Sequence, residues 1–281
     1  MKAISLLTGY WHFNLVAAIV IVLLVYFHFN TNGRRFTRKS LVFLTGILLI
    51  IIAAFSPLDY LAKNSLFSAH MTQHIMALLI IPPLLLAGTY RRYLIRLSRK
   101  KWFRKTGNVV FHPVFAWLMG VGSMWVSHVP GLMVSMKGSE TVMDLQTVSL
   151  LLFGLIFIWP VFAPVRLRKL DPLQSSVYLF LACVGCTALG ILITFSPSGL
   201  FTGEMTDMGA NTVTTLRSTL GMTADMDQQI GGLIMWVPAC MIYLSYVLIT
   251  LFRWLSAQSS VEKTTREITT GEPVKSGNYG S

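Results

Sequence analysis

Apolar residues fall into seven long runs along the chain, at about 11–29, 40–56, 66–87, 109–129, 145–163, 175–196 and 229–252. A helix rises ~1.5 Å per residue, so about 20 residues cross the ~30 Å hydrocarbon layer of a bilayer. Lipid offers no partner to a backbone N–H or C=O, so a spanning segment must satisfy them internally, and unbroken runs of this kind do so as helices. The pattern therefore predicts an all-α membrane protein, a bundle of seven transmembrane helices within residues 1–256. Residues 257–281 are polar and predict a disordered tail. Connections are short apart from Pro197 to Gln228, whose length predicts function or local helix.

Two runs carry their own interruptions. Pro82 and Pro83 lack amide protons, so the carbonyls of Leu78 and Leu79 lose their helical partners, and the third helix is expected to kink or end early. The seventh begins "DQQIGGLIMWVPA", whose Gly231, Gly232 and Pro238 predict a closely packed, bendable helix with a polar start. In the sixth, Ala182, Cys186 and Gly190 are spaced by four, the seam of small residues that lets membrane helices approach.

Composition agrees with the membrane class: 54% of the 281 residues are hydrophobic and 12% charged, with a mean hydropathy of +0.63. Charge then orients the helices. Of the 23 Lys and Arg, 19 fall after the first, third, fifth and seventh runs, whereas Lys2, Lys63, Lys137 and Arg217 lie on the other side. By the positive-inside bias the amino terminus is outside and the carboxyl terminus cytoplasmic. The net charge of +12 reflects that orientation and attraction to anionic lipid headgroups. No base-reading motif accompanies it, which excludes nucleic acid. A single lysine precedes the first run and four bases follow it, the reverse of a cleaved secretory signal, so it is expected to stay as helix one.

With that topology, His12, His70, His74 and His128 share a depth near the outer face. His70 and His74 are i and i+4, about one turn and ~5.4 Å apart, a spacing that lets two imidazoles share a metal ion. Capping a carbonyl or facing interfacial water is the better explanation for any one of them, but four at one depth make a shared inward site an equal reading. His28 and His112 form a separate inner pair, and His112 precedes Pro113 at a helix start, where capping accounts for it. Met133, Met136, Met143, Met205, Met208, Met222 and Met226 gather in or beside the outer loops. Thioethers with imidazoles suit Cu(I), although methionine also serves as a flexible filler. Cys183, Cys186 and Cys240 lie at mid-helix depth and read as reduced thiols in a packing seam. Asp227 could orient a histidine from behind or cap a helix amino terminus. Phosphate-loop, dinucleotide and nucleophile-elbow motifs are missing, and "HMTQH" has glutamine where a zinc protease needs its carboxylate, so an enzyme is not expected.

"SAHMTQHIMALLIIPPLLLAG", "HPVFAW", "WVSHVPGL", "GLIFIWPV", "YLFLA", "LITFSPSGLF" and "DQQIGGLIMWVPA" occur in this order between about Ser68 and Trp254. Together they resemble the CtaG family of bacterial cytochrome c oxidase assembly factors. The resemblance implies a multi-pass bacterial plasma-membrane protein that helps build a haem-copper oxidase, with oxidase subunits as partners and a part in copper handling. It also implies roles for His70, Gln73, His74, His128, Asp227 and Gln228, which occupy the family's recurrent polar positions. Members commonly carry histidines and a glutamate before the "GLIFIWPV" block, where this chain has Met143, Gln146 and Thr147.

The leading expectation is thus an assembly factor whose outer helix ends gather His12, His70, His74 and His128 with Met143 to hold copper transiently, supported by Gln73, Asp227 and Gln228. Two rivals remain: a b-type haem redox protein, because histidines at two depths could ligate haems, and a metal-free structural accessory subunit of the oxidase.

Overall fold

The computed structural model describes residues 13–30, 37–64, 66–132, 140–197, 200 and 221–270. Among these the chain is helical throughout, with no strand. We number the helices α1 (Phe13–Asn30), α2 (Arg38–Phe55), α3 (Pro57–Asn64), α4 (Phe67–Gly88), α5 (Arg91–Ser98), α6 (Lys101–Val110), α7 (Pro113–Ser127), α8 (Glu140–Phe162), α9 (Pro172–Phe195) and α10 (Ala224–Thr270). Within them, Arg38–Phe55, Phe67–Gly88, Val142–Phe162, Pro172–Phe195 and Ala224–Ser259 are long and apolar enough to cross a membrane. A sixth span results if α6 and α7 count as one, although they meet at a 64° bend. α1 contributes a shorter apolar stretch, Ile19–His28.

The fourth run differs from its sequence reading. It was expected to be helical from about 109, but the membrane-type helix starts at Pro113, after the bend. His112 adopts an extended conformation there (φ −62°, ψ 130°), the geometry that a following proline imposes. α10 also continues beyond the last apolar run, through 257–270. That stretch contains neither glycine nor proline to stop a helix once the apolar part has nucleated it.

α4 neither ends nor breaks at its proline pair. Residues Met76–Ile80 widen into a π-helical turn just ahead of Pro82 and Pro83, and the helix runs on to Gly88. Pro83 leaves the Leu79 carbonyl without its helical donor, and the Tyr246 hydroxyl of α10 donates to it instead at 2.6 Å. A neighbouring helix thus restores the lost bond, as membrane proline sites require.

α4 lies at the centre, between α2, α8 and α10. Glycine sets two of these contacts. At Gly88 a Cβ would stand 2.6 Å from the Phe43 backbone nitrogen of α2, and at Gly154 of α8 it would stand 2.6 Å from both the Leu78 carbonyl and the Pro82 ring. Gly154→Val is therefore expected to push α8 off the π-helical turn and cost about 1–3 kcal/mol by overpacking. Gly122→Ala, in a helix position with open space around it, should stay within about 0.5 kcal/mol of wild type. Thermal unfolding in detergent checks both, and equal melting temperatures would refute the close approach.

α9 and α10 form the most extensive helix pair. The expected seam is present: Ala182, Cys186 and Gly190 are buried, and a Cβ on Gly190 would meet the Trp236 side chain and the Gly232 carbonyl. The cysteines are free thiols. Cys183 Sγ lies 3.0 Å from Cys240 Sγ, and Cys186 Sγ lies 3.5 Å from the Tyr243 hydroxyl.

Candidate metal-handling site

The first half of α4, Phe67–Ile75, is buried on nearly every side, and its sequence explains how the histidines meet. Four-residue spacing puts His70 and His74 on one face, where their rings sit edge to face with centroids 4.2 Å apart. His128 follows the last turn of α7 and brings a third ring to within 5.3 Å of His74. All three are buried. Rings this close leave no room for a porphyrin plane between His70 and His74 or between His74 and His128.

Hydrogen bonds fix part of the proton placement. His128 Nδ1 lies 2.6 Å from the Met124 carbonyl, and since a carbonyl only accepts, Nδ1 carries the proton and Nε2 the lone pair. The Gln146 side-chain nitrogen lies 3.4 Å from His74 Nε2, while His74 Nδ1 is buried without a hydrogen-bond partner. Gln146 is thus an α8 side chain that reaches the histidines. Met143 is also buried, and its carbonyl accepts a bond from the Thr147 hydroxyl at 3.1 Å. As the side chains stand, no group of three or more His, Cys, Asp or Glu among the described residues has metal-holding geometry.

His12 lies outside the described residues, as do Met133, Met136, Met205, Met208 and most of the long connection after Pro197. Met222 packs beside Ala62, Leu66 and Ala69, and Met226 is exposed. His28 and His112 are exposed.

The three supporting residues hold helices in place. Leu66 precedes α4 and has no side-chain acceptor for the first amide groups of the helix. Asp227, fully buried at the start of α10, supplies it from 160 residues away: Phe67 N–H donates at 2.7 Å, Ser68 N–H at 3.0 Å and Ser68 Oγ at 2.6 Å. The expected cap is real but serves α4, while Thr223 caps α10 by accepting from Met226 N–H. Gly231 permits the approach, because a Cβ there would collide with the Phe67 ring. Gln228 does the converse at the end of α9, its amide donating to the carbonyls of Ile193 and Ser196, both at 3.1 Å. An acid thus takes the amide groups of one helix start and an adjacent amide serves the carbonyls of another helix end.

Gln73, between the histidines in sequence, donates to the Ala53 carbonyl at 2.6 Å and to Asp59 Oδ1 at 2.9 Å. It joins a polar chain that the sequence reading missed. Lys63 pairs with Asp59 at 2.8 Å and with Asp144 at 2.5 Å, tying α3 to α8 beside α4. The i and i+4 spacing of Asp59 and Lys63 was its visible signal, and the Asp144 link across 81 residues was not readable.

Comparison with curated proteins and with solved structures gives no match. The cytochrome c oxidase caa3 assembly factor model (Caa3_CtaG) matches residues 13–257, almost all of the helical part. Its span takes in the imidazole cluster, the polar chain around Lys63 and both helix-terminus contacts from α10. The chain belongs to the cytochrome c oxidase caa3 assembly factor family.

Proposed function

We propose that the protein takes up copper transiently between His70, His74 and His128 and passes it to a subunit of the oxidase it helps assemble, at the outer face of a bacterial plasma membrane. The observation that carries this reading is the packing of three buried imidazoles from two separate chain segments, one with an unpartnered nitrogen. A buried polar atom without a partner is costly, and a soft cation is one way to satisfy it. Turning the Gln146 amide over would let its oxygen accept from His74 Nε2–H, which moves the lone pair to Nδ1. The rings pack edge to face or tilted against each other, so binding requires at least one imidazole to rotate; such a site holds its cargo loosely and suits transfer better than storage. Imidazole suits copper as it suits zinc, iron and nickel, and the Met143 thioether at the same end would bias the site toward Cu(I).

Copper content after anaerobic Cu(I) loading tests the proposal. Wild type should retain copper, and His70→Ala/His74→Ala should retain at least about tenfold less while unfolding at a similar temperature. Equal, near-zero copper in both would end it.

The commitment of Gln73, Asp227 and Gln228 to helix contacts favours a second reading, in which the protein holds oxidase subunits together without metal. Normal oxidase assembly with the double variant, and failure without the protein, would favour that scaffold over copper delivery.

A further inference from the structure

At the opposite end of the bundle, where the cations gather, α8, α9 and α10 enclose a cavity of about 560 Å³. Arg166, Lys169 and Arg253 line it, with Phe162 and Trp254 as apolar wall and Asp171 as its acid. Asp171 stands at the N-cap of α9 in a capping box with Gln174, whose side-chain oxygen accepts from the Asp171 N–H at 3.4 Å. None of the three cations forms an ion pair among the described residues. Burial and the charge of Arg253 both work against the Lys169 ammonium and lower its pKa. With three cations and one acid in its lining, the cavity carries an excess of positive charge.

Its surroundings indicate what would supply one. Leu173 at the start of α9, and Phe252 and Leu255 on α10, are 72%, 65% and 53% exposed, leaving apolar surface beside the cationic cavity. Tryptophan at this position is the residue type that sits at headgroup level. A ligand that meets all of these features carries a phosphate and, attached to it, apolar chains.

We propose that this cavity binds the phosphate headgroup of an anionic phospholipid, with Arg166, Lys169 and Arg253 around the phosphate oxygens and the acyl chains along the exposed face of α10. Arginine recognises phosphate oxygens in pairs, and lysine adds a point charge. Free inorganic phosphate offers the same oxygens without the chains, and the test must separate the two. The site is independent of copper, at the other end of the molecule.

The full chain, purified in detergent and titrated with phosphatidylglycerol or phosphatidylcholine, can be read by native mass spectrometry. Wild type should bind phosphatidylglycerol in preference, and Arg166→Gln/Lys169→Gln/Arg253→Gln should weaken it by about fivefold per cation removed, about a hundredfold in total. Lys101→Gln/Arg104→Gln/Lys105→Gln removes as many cations from the same end but outside the cavity, and should stay within about twofold of wild type. Arg166→Lys/Arg253→Lys keeps the charge but not the paired contacts and should bind between wild type and the triple variant, which separates lost recognition from lost folding. Unchanged binding in the cavity variant, an equal loss in the α6 variant, or displacement of the lipid by millimolar inorganic phosphate would each overturn the proposal.

Discussion

Asp227→Ala is expected to destabilise the protein by about 3 kcal/mol. The carboxylate is fully buried and accepts from two backbone N–H groups and one hydroxyl at the start of α4. Alanine removes all three acceptor contacts and leaves buried donors that water does not reach. Hydrogen bonds to a charged group contribute about 1.5–3 kcal/mol each, but truncation also recovers the desolvation cost of the buried carboxylate, which holds the net loss at about 3 kcal/mol. Ser68→Ala removes only the hydroxyl bond and should cost about 1 kcal/mol. Asp227→Asn should fall between the two, because the amide nitrogen turns a donor toward a donor. Thermal unfolding in detergent ranks the three variants. An Asp227→Ala protein as stable as wild type would show that the first turn of α4 holds without its cap. The first turn of α4 leads directly into His70, so the same variant should also lose copper if the imidazole cluster is the binding site.

Asp227 also shows which information the sequence carried. An acid before an apolar run reads as a capping residue, and it is one, but its helix begins 160 residues earlier. Local spacing identifies the type of interaction and cannot identify a partner that only the packing of α10 against α4 brings near. The same holds for Pro82 and Pro83. Their missing amide protons are legible, yet the helix continues because a hydroxyl from Tyr246 reaches Leu79. The pairing of His70 with His74 follows from helical periodicity alone, whereas the arrival of His128 depends on where α7 ends against α4. Gln73 sits one position before His74 and so on another face of the helix, which is why it serves Ala53 and Asp59 instead of the imidazoles. Apolar periodicity gave correct limits for α2 and α4 to within about two residues, as expected where a run has clear polar ends. It failed at α7 because "VVF" before His112 continues the apolar run while Pro113 turns the backbone.

Lys63→Met should cost about 3 kcal/mol, because it removes a largely buried cation that pairs with two carboxylates. The Lys63 and Asp59 side chains are 8% and 12% exposed and that of Asp144 is 23% exposed, so only Asp144 is partly relieved by water. Burial opposes the Lys63 charge, but hydrogen bonds and charge from Asp144 and Asp59 outweigh it and hold its pKa above the usual 10.5. A pKa raised on folding stabilises fully below the unfolded value and is lost as pH rises through the folded one. The contribution of Lys63 should therefore be constant between about pH 6 and pH 9 and decline only in stronger alkali. Lys63→Met/Asp144→Leu also removes one of the two carboxylates that Lys63 paired and should recover part of the loss, leaving Asp59 with its Gln73 bond. That order of melting temperatures separates an ion network from simple packing, which would make the double variant the less stable of the two. The functional consequence follows from position, since Asp144 is two residues before Gln146 on α8. Loss of the Lys63 tie frees that part of the helix and should draw the Gln146 amide away from His74, so copper retention should fall along with stability.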